Sequence, residues 1–91
     1  MQDRQINKIY YAPKFERRFC RLTKNTQLKA LEKENIFRKN CFDPRLKTHR
    51  LKGRYKNYWS FSINYSYRIL FQFCNDQEAL FMDVGTHNIY Q

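Results

Sequence analysis

This chain is short of acid. Eight Asp and Glu face 18 Lys and Arg in 91 residues, leaving a formal net charge of +10 and a pI near 9.8. A compact domain so unbalanced repels itself, and the usual compensation is a polyanion: nucleic acid, an acidic lipid surface or an acidic protein. Glycine and proline are scarce, with two of each, and no Ser/Gly linker, low-complexity stretch or repeat divides the sequence. Its length fits one domain over residues 1–91. Cys20, Cys41 and Cys74 are odd in number and far apart, with no CxxC, which argues against a disulfide scaffold. With only two histidines, no zinc-ligand spacing occurs. The expectation is buried free thiols in a reducing cytoplasm. The opening MQDRQINK lacks the apolar segment of a signal peptide, and no apolar run nears the ~20 residues of a membrane span. A soluble, cytoplasmic protein is expected.

Aromatics are what the chain has in plenty. Eight Phe and seven Tyr, in a sequence 42% hydrophobic, mark a chain that folds around a small core. Residues 6–11 (INKIYY) read as a strand, and Ala12-Pro13 ends it. Proline suits the first helical turn, and Phe15, Phe19 and Leu22 then fall on one face. Lys14, Arg17, Arg18 and Arg21 lie elsewhere on that helix. Asn25, Thr23 or Thr26 can cap a second helix, with Leu28, Leu31 and Ile36 or Phe37 turned inward. NCFDP at 40–44 breaks it.

From there the period changes to two. A short strand near Thr48–Leu51 comes first. Trp59, Phe61, Ile63 and Tyr65 alternate with Tyr58, Ser60, Ser62 and Asn64. Tyr67, Ile69, Phe71 and Phe73 alternate with Arg68, Leu70, Gln72 and Cys74. Turns fit at 64–66 and 75–78, before a strand at 79–84. Helices first and a strand meander after them predict an α+β fold: an N-terminal strand and a two-helix hairpin on one face of a mostly antiparallel sheet of four to five strands. Ser60, Ser62, Arg68 and Gln72 then share the face that the helices leave open.

Two segments carry chemistry. THRLKGRYK at 48–56 concentrates His49, Arg50, Lys52, Arg54 and Lys56, with Lys47 just before it. The other is GTHNIY, with His87 and Tyr90. RNA cleavage without a metal needs a base for the 2′-hydroxyl, an acid for the departing 5′-oxygen and fixed cations for the phosphorane-like transition state. Histidine holds either proton role at neutral pH, and arginine grips phosphate with two parallel hydrogen bonds. Tyr90 can stack on a base or orient the phosphate. Each histidine taken alone is more simply surface decoration, and Trp59 and the Phe residues are more simply core. Strict alternation also puts His49 and Lys52 on opposite faces, unless their strand is bulged or ends early.

The element order, with DPRLKTHRLKG, YWSFSINYSYRILF and LFMDVGTHNIY, resembles the RelE/ParE toxin superfamily. It is most similar to the RelE/StbE, YafQ-like branch of type II toxin–antitoxin mRNA interferases. The resemblance implies a bacterial toxin that enters the A site of the 70S ribosome and cleaves mRNA through its own 2′-hydroxyl, with no metal or cofactor. A cognate antitoxin would block it. It further implies that His49 and His87 are the catalytic histidines, which between them would supply acid and base; His87 as acid and His49 as base is our assignment, and the motifs leave the reverse open. Arg68 would hold phosphate and Tyr90 would be the C-terminal aromatic of the site. Lys47, Arg50, Lys52, Arg54 and Lys56 would supply charge. Ser60 and Ser62 stand where RelE has lysines, and Ser62 and Ser66 where YafQ-type toxins have a histidine and an aspartate. A serine can hydrogen-bond RNA but supplies no cation. Two alternatives remain open at this point: a ParE-like, non-catalytic inhibitor of DNA gyrase, and a catalytically weak toxin acting mainly in its antitoxin complex.

Overall fold

The computed structural model describes residues 3–90, apart from the side chains of Asn88 and Tyr90. Strand β1 (Lys8–Tyr11) leads into helix α1 (Pro13–Cys20) and helix α2 (Lys24–Lys39). Four strands follow: β2 (His49–Arg50), β3 (Trp59–Ser62), β4 (Arg68–Asn75) and β5 (Glu78–Gly85). They form one sheet in the order β1-β5-β4-β3-β2. β1 runs parallel to β5, and every other pair is antiparallel. This is the expected α+β architecture, with the first strand at an edge.

Local chemistry accounts for the helices. Pro13 opens α1, where its missing N–H costs nothing, and Phe15 is buried with Phe19 and Leu22 packed beside it. Thr23 caps α2, its hydroxyl accepting from the Thr26 N–H at 3.3 Å. The inward face of α2 differs from the expected one. Leu28 and Leu31 are 56% and 48% exposed, while Ala30 and Phe37, two turns apart, are buried. The sheet takes only the stripe centred on those two positions, and Leu31 is left on the groove between the helices. At the N-terminal edge, the Tyr11 hydroxyl donates to Glu34, which also holds Arg38 at 3.1 Å. Burial first, then the Glu34 carboxylate, pushes the Tyr11 hydroxyl up to about 12.

The core is built of rings. Phe37 lies 4.9 Å from Phe61, 5.0 Å from Phe71 and 5.3 Å from Phe81, centroid to centroid. One helical side chain thus meets β3, β4 and β5 at once. The β5 strand is not regular. Phe81 and Val84 both lie in the core, three residues apart, which strict alternation forbids. A bulge resolves this: Phe71 pairs with Phe81 but Leu70 with Asp83, so Met82 is the extra residue.

The cysteines are corrected in part. All three are free, but only Cys41 is buried, and burial pushes its thiol up to about 11. Cys20 and Cys74 are exposed. Among the described residues no helix is long and apolar enough to cross a membrane. Phe37→Ala should cost about 3–5 kcal/mol in urea denaturation, a large share of the about 5–15 kcal/mol that holds a typical domain. Leu28→Ala should stay within about 0.5 kcal/mol of the parent.

Candidate functional site

The site forms where β4 begins and β5 ends. Ser62, Arg68 and Gly85 stand in register across β3, β4 and β5. Beyond Gly85 the chain turns sharply into a 3₁₀ turn, His87–Tyr90, with the Ile89 N–H donating to the Thr86 carbonyl at 3.0 Å. A Cβ on Gly85 would sit 2.6 Å from the Ile89 side chain, so glycine is what lets the turn fold back on the strand.

That return brings His87 onto Arg68. The guanidinium places Nη2 at 2.9 Å and Nε at 3.3 Å from His87 Nε2. Its third nitrogen, Nη1, donates to the Ser62 hydroxyl at 2.6 Å. Arginine has no acceptor, so the facing Nε2 must carry the lone pair and the ring proton must sit on Nδ1. With Tyr65, Ser66 and Thr86, this pair lines an open cleft of about 490 Å³. A second cleft of about 340 Å³ shares Tyr65 and Arg68 and is otherwise walled by Lys33, Arg45, Lys47 and the tip of the β3–β4 hairpin.

Asp83 braces the strand end, and sequence reasoning missed it. It is 3% exposed, accepts from the Val84 N–H at 2.8 Å and meets Lys14 at 3.5 Å and Arg18 at 3.8 Å. The signal was available: a lone carboxylate inside the apolar run FMDV needs cations near it. Two positions before Gly85, it ties α1 to the strand that delivers His87.

The other expected residues are spread along the sheet. His49 is exposed on β2 and pairs with Ser60, so it lies on the same face as that row. By the ladder spacings its Cα is roughly 12 Å from that of Arg68. Its Nδ1 lies 3.0 Å from the Lys47 carbonyl and must donate there, leaving Nε2 as the acceptor of the neutral ring. β2 ends at Arg50, which removes the strict alternation that would separate His49 from Lys52. Lys52 is exposed and extended, and Gly53 after it takes a φ of 68°. Arg50 donates from Nε to the Lys56 carbonyl at 2.7 Å, so it is engaged in closing the loop. Lys56 and Arg54 are exposed, and the Arg54 guanidinium lies 5.4 Å from the Tyr55 ring.

The serines depart from expectation. Ser60 is fully buried, so its hydroxyl is shut away from a ligand even though His49, its neighbour on β2, is exposed. Ser62 is only 8% exposed and engages Arg68. Tyr65, expected to continue the β3 alternation, lies past the strand end and is 95% exposed. The side chain of Tyr90 lies outside the described residues.

The model of the ParE-like toxin domain matches residues 24–91. The chain belongs to this family, within the RelE/ParE toxin superfamily. Solved structures agree on the fold. A YoeB/ParE toxin from Agrobacterium tumefaciens superposes with a TM-score of 0.75 at 18% identity, over 88% of this chain and 98% of its own. YafQ from Escherichia coli gives 0.68 at 20% identity, over 94% and 98%. The toxin–antitoxin complex RelBE2 from Mycobacterium tuberculosis gives 0.78 at 12% identity, over 94% and 98%. No curated protein matches the sequence.

The toxin holds its site through side-chain contacts that can be broken one at a time. Ser62→Ala should lower stability by about 1 kcal/mol and release Arg68, seen as a fall in the NMR order parameter of its Nε–H. Across the second cleft, Arg45 binds Asp43 through Nε at 3.0 Å and Nη2 at 2.9 Å. Those bonds, with the Arg45 backbone N–H, hold the Asp43 carboxyl down at about 2. A depressed carboxyl stabilises the fold above its unfolded pKa of about 4 and loses that contribution as pH falls. The Asp43 carboxyl carbon should therefore titrate near pH 2 and shift upward in Arg45→Ala.

Proposed function

We propose that this toxin is a metal-independent endoribonuclease that cleaves ribosome-bound mRNA in the bacterial cytoplasm and thereby halts translation. The observation that carries the reading is the contact between Arg68 and His87, a phosphate-gripping cation against a proton carrier in an open cleft. Strand order supports the rest. His49, on β2, and His87, after β5, flank Arg68 of β4 from opposite sides. In-line displacement needs a base and an acid on opposite sides of the phosphorus.

The steps follow from those positions. A phosphodiester entering the cleft takes the Arg68 hydrogen bonds for its non-bridging oxygens. His87 Nε2, no longer facing the guanidinium, takes up a proton from water before the cleavage step. His49 Nε2 accepts the 2′-hydroxyl proton, the 2′-oxygen bonds to phosphorus, and the P–O5′ bond breaks. The proton on His87 goes to the leaving 5′-oxygen. The products are a 2′,3′-cyclic phosphate and a 5′-hydroxyl. Arg68 stabilises the charge that grows on the phosphorane, and Ser62 fixes its orientation. Lys52, Arg54 and Lys56 lie on an exposed loop near His49 and add attraction for RNA.

So open a cleft positions a flexible message poorly, which supports a need for the ribosome to present it. A cognate antitoxin is the second partner proposed. YafQ has been solved with DinJ, and RelBE2 is itself a toxin–antitoxin complex. One observation favours a second reading: the matching family model is ParE-like, which suits inhibition of DNA gyrase without acid–base chemistry.

Primer extension on a reporter mRNA in a reconstituted translation system separates the two. Discrete in-frame cuts are expected only with ribosomes present, reduced at least about 100-fold in His87→Ala. Intact mRNA with folded wild-type protein, together with DNA breaks in expressing cells, would favour gyrase.

A further inference from the structure

The tip of the β3–β4 hairpin is built to hold an aromatic ring in water. The Asn64 side chain accepts from the Ser66 N–H at 3.0 Å and the Tyr67 N–H at 2.8 Å, and the Ile63 N–H donates to the Tyr67 carbonyl at 2.9 Å. These bonds fix the turn and leave Tyr65 projecting, 95% exposed. An exposed ring on a fixed turn gives up burial that other aromatics of this chain obtain. Tyr65 also stands between the two clefts and lines both, as Arg68 does.

The second cleft is cationic beyond Arg68. Arg45 is neutralised by Asp43, but Lys33 and Lys47 add charge to the same wall. Lys47 is held at a φ of 55°, the one described non-glycine residue with positive φ. Such a conformation costs a side-chain-bearing residue roughly 1–2 kcal/mol, and glycine would avoid it. A lysine kept there at that cost, facing a basic cleft, points to use of its ammonium.

Building on the RNA reading above, we propose that this tip is a base-stacking subsite for single-stranded RNA. Tyr65 stacks on the nucleobase next to the phosphate held by Arg68, and Lys33 and Lys47 neutralise the following phosphate. The cleft volume, at the lower end for small-ligand sites, suits one nucleotide rather than a duplex. A protein partner is the weaker fit. Protein interfaces centre on desolvated apolar anchors, and among the described residues an apolar groove lies elsewhere, along Tyr11, Phe15, Phe19 and Leu31.

The test is a double-mutant cycle between ring and base. The full chain is titrated by fluorescence anisotropy with a 2′-O-methylated RNA hexamer, which it cannot cleave, and with hexamers carrying one abasic position. At one position, base removal should weaken wild-type binding about tenfold. Tyr65→Phe should respond alike. Tyr65→Ala should bind about tenfold more weakly and lose nothing further on base removal. Lys47→Gly, which suits the backbone there, should keep the fold and lower the salt slope of log K by about 0.7.

Equal abasic losses in wild type and Tyr65→Ala would overturn the subsite while leaving the RNA reading intact. So would a Tyr65→Ala protein that binds RNA normally but loses affinity for an acidic antitoxin. Wild-type protein that ignores the hexamer and leaves ribosome-bound mRNA intact would overturn both.

Discussion

Phe37 is the contact on which the rest of this structure depends. It is fully buried and its ring meets rings from β3, β4 and β5. Those three strands carry Ser62, Arg68 and the approach to His87. Aromatic contacts of this kind add about 0.5–1.5 kcal/mol each beyond area burial. The helix side of the sheet therefore fixes strand spacing, and strand spacing fixes the row on which the site is assembled. A small domain has little apolar surface to spare, and concentrating rings at one hub makes good use of it.

Two further devices convert that scaffold into a site. The bulge at Met82 lets Val84 return to the core after Phe81 and sets Asp83 two positions before Gly85. Asp83 then draws Lys14 and Arg18 of α1 onto the end of β5. Gly85 allows the chain to fold back at a distance no side chain would permit. None of these residues lines the cleft itself. Each determines where the His87 ring lies relative to the Arg68 guanidinium.

Much of this was legible from residue order alone. Pro13, the Phe15–Phe19–Leu22 spacing and the alternation through β3 and β4 gave the elements, because each rests on local periodicity. The pairing of Arg68 with His87 rested on the GTH and YRILF motifs, and the contact is present. Leu28 and Leu31 misled because hydrophobicity does not reveal which stripe of a helix the sheet will take. Ser60 misled because alternation assigns a face but not what covers it. The Asp83 brace and the Tyr65 tip depend on a bulge and on a strand that stops at Ser62, both products of tertiary register. The His49 position is intermediate: its face follows from pairing with Ser60, its distance from Arg68 only from the strand order.

The parallel pairing of β1 with β5 has a consequence for synthesis. Ile9 lies opposite Ala79, so β1, the earliest of the five strands in the sequence, has no partner until β5, the latest of them, has been made. Closure of such a non-local pair comes late, after the local helices have formed. A nascent or prematurely ended chain lacks both the sheet edge and the turn that carries His87. Such a polypeptide has no Arg68–His87 contact, which forms only once β5 and the turn after it have folded onto β4.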